Sequence, residues 1–356
     1  MKTRKTVTTV AFNVAAVLIG LIICALLLFF MKVDPGAVIS KTMSKIIGDK
    51  YNMGEVLVKA TPLILTSLAF AFTYQANLFN IGAQGQFYMG CIAAVSISLA
   101  LGGKIPTLAL ILIVLVASFA AGAATGSFIG FAKSRFGANE FLVSMMSTYV
   151  VSAFMDYLLR TSLQETKAEY LQTDGIAKAA YLPKLIKGTR VHWGFIIAVA
   201  AAVLIWILLN KTGLGFRIRA VGMNHHAAEL GGIRTGKVYV IAFAIAGGLA
   251  GLAGLTEING VQHMLLRDFN ASIGSYGIGI AILANGNPIG CIFASILFGF
   301  LNVVGTTMGR LPNTSIPASI IDLLEGIVMT CVIASYAARH AYEVHLEKKR
   351  TRKESV

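Results

Sequence analysis

Long apolar runs alternate with short polar stretches along almost the whole chain. A run of about 20 apolar residues is long enough to cross a bilayer as an α-helix, so the pattern predicts an all-α, polytopic membrane protein with about ten transmembrane helices. They form one predicted membrane domain over 8–338, between an N-terminus (1–7) and a basic tail (339–356). The predicted segments are 8–31, 58–74, 86–102, 106–131, 141–159, 193–210, 238–256, 274–285, 289–308 and 317–338.

Composition agrees with this pattern. Of the 356 residues, 56% are hydrophobic and 13% are charged, and the mean hydropathy is +0.75, which excludes a soluble domain with one buried core. The net charge of +14 comes from lysines and arginines in loops and tails, where they set topology and meet anionic lipid. We therefore expect a lipid bilayer, and not nucleic acid, around this chain. The four cysteines lie inside apolar runs, so we expect buried side chains and no disulfide framework.

Positive charge in the short connections predicts the orientation. The N-terminus, the turn at Lys133 and Arg135, the 211–237 loop and the C-terminal tail are all basic. Ten crossings place all four on the same side, which the positive-inside rule identifies as the cytoplasm. Both termini are therefore expected to be cytoplasmic, and the longer loops at 32–57 and 160–192 are expected to lie outside.

Two polar, glycine-containing stretches interrupt the apolar pattern, at 77–86 and at 274–290. Irregular polar backbone at membrane depth persists only where it faces protein or a water-filled cavity. Paired interrupted segments in a transporter indicate a central solute site. The alternative is a pair of ordinary tight turns at the membrane surface. The residues expected along the solute path are Asn77, Asn80, Gln84, Gln86, Tyr276 and Asn285.

Glycines at four-residue spacing mark two predicted helices. Gly122, Gly126 and Gly130 share one helical face, and Gly247 and Gly251 repeat the pattern. Small residues allow helix backbones to approach closely in lipid, where the hydrophobic effect does not drive association. These faces are expected to pack helices together.

The 211–237 loop contains a predicted short helix. Asn224 is a good N-cap, Ala227, Ala228 and Glu229 continue the helix, and Gly231–Gly232 ends it. Such a helical projection suits docking into a groove of a partner. The alternative is a solvated basic loop that only enforces topology.

Few ionisable residues lie in or beside the predicted spans: Asp156, Glu257, Asp322 and Glu325. Asp322 and Glu325 share a helix face and would bind protons or sodium in an ion-coupled transporter. The chain has no protease or hydrolase motif and no plausible metal-ligand spacing. We therefore expect neither enzyme activity nor a bound metal or cofactor.

Several motifs resemble one transporter family. Asn80–Gln86 is similar to the N-I-G-x-E-G-Q signature of bacterial ABC importer permeases for simple sugars, nucleosides and branched-chain amino acids. The loop segment Phe216–Gly222, followed by Asn224 and by Gly232–Ile233, resembles the coupling segment of that family, and 246–254 is also typical. Gln84 stands where the family usually has Glu, so the position needs a hydrogen-bonding side chain and not an anion.

The resemblance implies a permease subunit of an ATP-driven importer in the bacterial cytoplasmic membrane. The family's partners are a second permease, cytoplasmic ATPase subunits that bind ATP and Mg, and an extracytoplasmic solute-binding protein. The branch most similar to this chain moves purine nucleosides. A simple sugar such as ribose or galactose, an ion-coupled transporter, or a membrane protein without transport remain alternatives. The residues expected to couple to the ATPase are Arg217, Arg219, Asn224, Ala227, Ala228, Glu229 and Gly232.

Aromatic side chains surround the two interrupted stretches. They would stack on a nucleobase or on the apolar face of a sugar. Anchoring at the membrane interface is the alternative explanation. The residues are Phe70, Phe72, Tyr74, Phe79, Phe87, Tyr88 and Tyr276.

Overall fold

The computed structural model describes most of the chain. The described residues are 12, 15–16, 18–20, 22–23, 25–27, 29–30, 35–167, 170–267, 269–270, 272–310, 323, 326–335 and 338. Of these described residues, 78% are helical. Within these ranges β-structure is limited to two isolated bridges, Gln172 with Leu266 and Lys184 with His192. The predicted all-α class is therefore confirmed.

Eleven α-helices are numbered here in chain order within the described residues. A 3-10 turn at Lys178–Ala180 and a π-helical turn at Ile258–Gln262 accompany them. The α-helices are α1 (Pro35–Gly48), α2 (Lys50–Tyr74), α3 (Ala83–Leu101), α4 (Thr107–Phe136), α5 (Glu140–Arg160), α6 (Gly194–Lys211), α7 (Gly213–Met223), α8 (His225–Leu230), α9 (Thr235–Glu257), α10 (Ile273–Leu283) and α11 (Pro288–Gly309).

Seven described helices are long and apolar enough to cross a membrane. They are α2, α3, α4, α5, α6, α9 with its π-helical turn, and α11, and each coincides with a predicted segment. Three shorter apolar helices, Leu18–Leu27, α10 and Gly326–Ser335, fall on the other three predicted segments. The count of ten crossings stays a prediction, because the described part of each of these three helices is shorter than a membrane span.

The chain divides into two compact units. The smaller comprises Met1–Asn52 and Phe300–Val356, and the larger comprises Met53–Gly299. In the smaller unit Gly20 packs against Val328, whose Cα lies 3.1 Å from the position that a Cβ on Gly20 would occupy. The larger unit contains both interrupted stretches and the 211–237 loop.

Glycine contacts hold together the core of the larger unit. On α4, a Cβ added at Gly122 would lie 2.1 Å from the Gly247 carbonyl oxygen, and one at Gly126 would lie 2.0 Å from that of Phe243. Helix α3 joins through Gly90, whose Cβ would lie 2.2 Å from the Gly251 oxygen. No larger residue fits at these crossings without moving a backbone. The predicted packing role of the glycine stripes is confirmed.

The connection between α5 and α6 covers the end of α9. Thr173 donates its N–H to Leu265 O at 2.9 Å, and the rings of Tyr181 and His263 stack with centroids 3.6 Å apart. His192, near the end of this connection, is buried and accepts a hydrogen bond at Nδ1 from Gly194 N at 3.1 Å. Burial, with the positive charges of His263 and Arg190, lowers the pKa of His192 to about 4. His192 is therefore neutral in the folded protein at physiological pH.

Candidate functional site

The first interrupted stretch begins with a Schellman cap. Helix α2 ends at Tyr74, and Leu78 donates its N–H back to Thr73 O at 3.1 Å. The residue before it, Asn77, has the left-handed conformation that this cap requires, with φ of 56°. Asparagine tolerates this conformation better than most side chains. Asn77 therefore ends α2 where the apolar run ends.

The second interrupted stretch contains the same kind of cap. Helix α10 ends at Leu283, and Gly286 donates its N–H back to Ala281 O at 2.9 Å. Asn285 occupies the left-handed position, with φ of 54°. The two stretches therefore contain matching caps, each with asparagine at the left-handed residue.

The two stretches bring the beginnings of α3 and α10 together. Thr66 of α2 donates its hydroxyl hydrogen to Ile273 O at the start of α10, at 3.3 Å. Thr66 precedes Tyr74 by eight residues, so α10 begins about 12 Å from the end of α2, at about 1.5 Å rise per residue. Gly274 contacts Gln84 in the first turn of α3. Both helices therefore begin partway along α2 and buried in protein.

Gln84 links these two helix starts. Its side-chain Oε1 accepts a hydrogen bond from Gly274 N at 2.7 Å, and its Nε2 donates to Asn270 O at 3.0 Å. Only 7% of Gln84 is exposed. The position uses both a donor and an acceptor, which an amide supplies and an ionised carboxylate does not.

Asn80 and Gln86 form a closed pair. Asn80 Nδ2 donates to Gln86 Oε1 at 2.9 Å, and Gln86 Nε2 donates to Asn80 Oδ1 at 3.1 Å. Both side chains are fully buried. The pair satisfies two buried amides and fixes the turn that leads into α3.

The other predicted path residues are more accessible. Asn77 and Asn285 are exposed, and Tyr276 is half-buried. Phe79 is 41% exposed and packs against Phe70 and Tyr74, with ring centroids 5.9 Å and 6.1 Å away. The six predicted path residues thus divide into three buried amides and three side chains that are at least partly accessible.

A second aromatic cluster lies beside α3. Phe87 and Tyr88 contact the ring of Phe269 at centroid distances of 5.8 Å and 6.2 Å. Phe87 and Tyr88 are buried, and Phe269 is 9% exposed. Phe72, also among the predicted aromatics, is fully buried in α2. These rings fill the interior around the start of α10.

The 211–237 loop folds into two helices. The predicted short helix is α8: the Asn224 side chain accepts from Ala227 N at 3.1 Å, and Gly232 has φ of 80° at its end. The preceding helix α7 was not predicted, although Thr212 is an N-cap signal and its hydroxyl accepts from Gly215 N at 3.2 Å. Its many glycines mask the helix in the sequence.

The predicted coupling residues differ in their surroundings. Arg217 and Ala227 are exposed, whereas Ala228 is buried. Arg219 donates to Leu209 O at the end of α6, and Glu229 accepts from the Thr235 hydroxyl at the start of α9. Arg219 and Glu229 therefore join the two helices to the membrane domain.

An open groove runs beside α7 and α8. It has a volume of about 570 Å³. Large apolar side chains beside it are strongly exposed: Phe216 is 62%, Met223 is 89% and Leu230 is 91% exposed. The groove is lined by Phe216, Arg219, Met223, Asn224, Ala228 and Ile233, among others.

Helix α7 also contacts the residues that lead into the first interrupted stretch. A Cβ added at Gly222 would lie 2.2 Å from Gln75 O, and Gln75 Nε2 donates to Gly286 O at 2.9 Å. Neither Gln75 nor its contact with Gly222 was predicted from the sequence. Gln75 is the first polar amide after the apolar run that ends at Tyr74, and this position was the available signal.

The ionisable residues near the described spans have partners. Asp156 pairs with Arg267 at 3.2 Å between Oδ2 and Nη2. Glu257 is buried and forms side-chain hydrogen bonds with Asn270 and Gln262. Asp322 and Glu325 lie outside the described residues. The searched residues contain no group of His, Cys, Asp and Glu that could hold a metal ion.

Apolar helices long enough to span, two interrupted stretches that meet inside the protein, and an exposed helical pair in a connecting loop define a membrane-spanning transport subunit. Residues 52–333 match the family described as "Branched-chain amino acid transport system / permease component", and the chain belongs to this family. It is thus a permease of the ABC transporter class and not an enzyme, because ATP hydrolysis belongs to a separate subunit. The ion-coupled alternative is set aside.

Individual relatives align along most of this chain. The guanosine ABC transporter permease protein NupP of Bacillus subtilis is 31% identical and covers 91% of this chain and 93% of its own. The nucleoside ABC transporter permease protein NupB of Lactococcus lactis is 29% identical and covers 99% and 96%. The glucose ABC transporter permease protein TsgB13 of Haloferax volcanii is 30% identical and covers 90% and 86%.

Proposed function

We propose that this permease moves a purine nucleoside into the bacterial cytoplasm as part of an ATP-driven importer. The observation that most supports this solute is the chemistry around the interrupted stretches: amide side chains and aromatic rings, with the nearby buried Glu257 already hydrogen-bonded. An uncharged solute needs no buried counter-charge. Two of the relatives described above are named for guanosine or nucleosides.

The accessible path residues are the proposed solute contacts. Asn77 and Asn285 would offer hydrogen bonds to ribose hydroxyls or base edges, and Tyr276 and Phe79 would stack on the base. The buried amides Asn80, Gln84 and Gln86 would form the wall behind them. Their hydrogen bonds to each other and to α10 fix the backbone that presents the accessible residues.

The groove beside α7 and α8 is the proposed ATPase-docking surface. Exposed Phe216 and Met223 line this groove and supply apolar anchors. The exposed Leu230 of α8 and Arg217 of α7 would add a further apolar anchor and positive charge to the surface. An apolar centre with a charged rim is the usual anatomy of a protein interface. ATP and Mg would bind to the ATPase subunits, and closure of those subunits would displace α7 and α8.

The remaining partners follow from the same proposal. A second, different permease would complete the path, and an extracytoplasmic binding protein would deliver solute to the connection between α5 and α6. This orientation places α7, α8 and both termini in the cytoplasm, in agreement with the basic 211–237 loop and tail.

Uptake by the assembled transporter tests the solute. Cells that express this chain with its neighbouring transport genes should accumulate radiolabelled guanosine, and unlabelled adenosine should compete, while ribose, glucose and leucine should not. Loss of uptake on ATP depletion, with the proton gradient maintained, would distinguish an ATP-driven importer from an ion-coupled transporter. Competition by ribose or glucose alone would contradict the nucleoside assignment.

A simple sugar is the second candidate. The 30% identity to a permease named for glucose supports it, and amides and aromatic rings also suit the hydroxyls and apolar face of a sugar ring. The same competition experiment separates the two, because a nucleoside path should not be blocked by a free sugar.

A further inference from the structure

Gln75 contacts the 211–237 loop through its backbone. The Gly222 Cα of α7 packs against the Gln75 carbonyl: a Cβ at Gly222 would lie 2.2 Å from Gln75 O and 3.1 Å from the carbonyl carbon of Ala76. No side chain lies between the two backbones at this point. Atoms already in contact cannot approach further, so a displacement of α7 towards Gln75 must move Gln75 and, through it, the first interrupted stretch two residues later.

The side chain of Gln75 reaches the second interrupted stretch. Its Nε2 donates to Gly286 O at 2.9 Å. Gly286 has φ of 66° and is held to α10 by its own N–H bond to Ala281 O. This side-chain hydrogen bond ties the residues that lead into the first stretch to the second stretch, although Gln75 and Gly286 are 211 residues apart in sequence.

We propose that Gln75 is a positioning residue that transmits the movement of α7 to both interrupted stretches at once. When α7 moves, Gly222 displaces the Gln75 carbonyl and with it the first stretch. The hydrogen bond from the Gln75 carboxamide to Gly286 O then displaces the second stretch. The two matching caps at Asn77 and Asn285 would then shift together. This inference rests on the proposed function in one respect: α7 must be displaced by an ATPase.

The two contacts of Gln75 predict different defects. Gln75→Met keeps the length of the side chain and the backbone contact with Gly222 but removes the donor to Gly286. The first stretch should still respond to ATP, and the second should not. Gly222→Ala instead forces α7 and Gln75 apart, so neither stretch should respond normally.

Single-cysteine reporters measure these responses in the complete transporter, reconstituted with its partner subunits in proteoliposomes. The four native cysteines are replaced by alanine, and Phe79→Cys or Asn287→Cys reports on the first or second stretch, since both positions are exposed. Labelling by a charged thiol reagent is compared without nucleotide and with ATP plus vanadate. In the transporter that retains Gln75, ATP plus vanadate should change the labelling rate at both reporters.

In Gln75→Met, the ATP-dependent change should remain at Phe79→Cys and disappear at Asn287→Cys. Solute moved per ATP hydrolysed should fall about tenfold, the factor that corresponds to about 1.4 kcal/mol, which is typical of one hydrogen bond. The rate of ATP hydrolysis should be unchanged. If Gln75→Met does not assemble, Gln75→Glu, which has the same size but no N–H donor, applies the same test.

Matched variants serve as controls. Gln172→Met removes a glutamine that bonds Glu165 in the α5–α6 connection, and the labelling response to ATP plus vanadate should stay unchanged at both reporters. Gly213→Ala is on the same helix as Gly222→Ala, but nothing lies within 4 Å of the added methyl, so both reporters should keep their responses.

Two outcomes would overturn the inference. One is a Gln75→Met transporter with normal coupling and normal responses at both reporters. The other is a parallel loss of assembly, ATP hydrolysis and both responses in Gln75→Met and in Gln75→Glu alike, which indicates a structural role alone. Absence of ATP-driven guanosine uptake by the unaltered transporter would contradict the proposed solute but not this inference, because labelling and ATP hydrolysis need no solute.

Discussion

Replacing Gln84 by leucine should separate the start of α3 from the start of α10. The amide of Gln84 accepts from the buried Gly274 N–H at 2.7 Å and donates to the partly buried Asn270 C=O at 3.0 Å. Leucine has a similar volume, so little cavity is created. The variant leaves the buried Gly274 N–H without this acceptor, whereas Asn270 C=O keeps its hydrogen bond from Ile273 N–H at 3.2 Å.

The expected cost follows from these two groups. An unsatisfied buried polar group costs about 1–3 kcal/mol and a lost hydrogen bond about 0.5–1.5 kcal/mol, so Gln84→Leu should destabilise the protein by about 2–4 kcal/mol. Gln84→Glu retains the acceptor for Gly274 N–H, and the positive end of α10 favours its charge by about 0.3–1 kcal/mol. Its other oxygen faces the Asn270 carbonyl oxygen, and this contact is unfavourable. We therefore expect Gln84→Glu to lose some stability, but less than Gln84→Leu.

Thermal unfolding of the detergent-solubilised protein and ATP-driven uptake measure the effect. Stability should decrease from the unaltered protein to Gln84→Glu and then to Gln84→Leu, and uptake should decrease in the same order. Gln172→Leu removes one side-chain hydrogen bond in the α5–α6 connection and is the matched control. A Gln84→Leu protein as stable and as active as the unaltered chain would refute the assigned role.

Three further predictions follow. Gly126→Ala places a methyl group 2.0 Å from the Phe243 oxygen and should cost about 1–3 kcal/mol in thermal unfolding, whereas Gly213→Ala, with open space, should be neutral. Asn77→Gly keeps the left-handed turn, so it should be stable but impaired in uptake. Asn77→Ala should be impaired in uptake and should also lose about 1 kcal/mol of stability. Unimpaired uptake by Asn77→Gly would show that the Asn77 amide serves only to end α2. The pKa of His192 is lowered to about 4 in the folded protein, so below about pH 6.5 the unfolded chain binds a proton on His192 that the folded chain does not. About 3 kcal/mol of stability, present above pH 6.5, should therefore be lost as the pH falls to 4. The free energy of unfolding of His192→Asn should depend less on pH over this range, and an unchanged pH dependence would contradict the role of His192.

Local features of the sequence predicted the spans and the short loop helix well. Hydropathy is a property of consecutive residues, so seven segments were located before any contact was known. The α8 helix was predicted because its signals are also local: an N-cap at Asn224 and glycines at its end. Helix α7 was missed because its glycines oppose helix formation locally.

Tertiary contacts explain the glycines of α7. A Cβ at Gly215 would lie 2.3 Å from the carbonyl oxygens of Leu208 and Leu209, and Gly222 packs on Gln75. These close approaches require glycine, and the surrounding helices stabilise α7 in return. Only the three-dimensional arrangement shows this, because each contact joins backbone atoms of different elements.

The same division applies to the candidate site. The sequence identified both interrupted stretches and their amides, because polar residues inside apolar runs are conspicuous in one dimension. It did not distinguish Asn80, Gln84 and Gln86, which are satisfied within the protein, from Asn77 and Asn285, which are exposed.

The sequence by itself determined the membrane class, the position of the spans and the resemblance to ABC importer permeases, since transfer to lipid depends on composition along the chain. Only the tertiary structure decided which polar groups bond one another. Gln84 meets Gly274 across 190 residues, and Gln75 meets Gly286 across 211. Hydrogen bonds of such separation depend on how helices pack, and helix packing in a membrane depends on shape and close backbone contact and not on hydropathy.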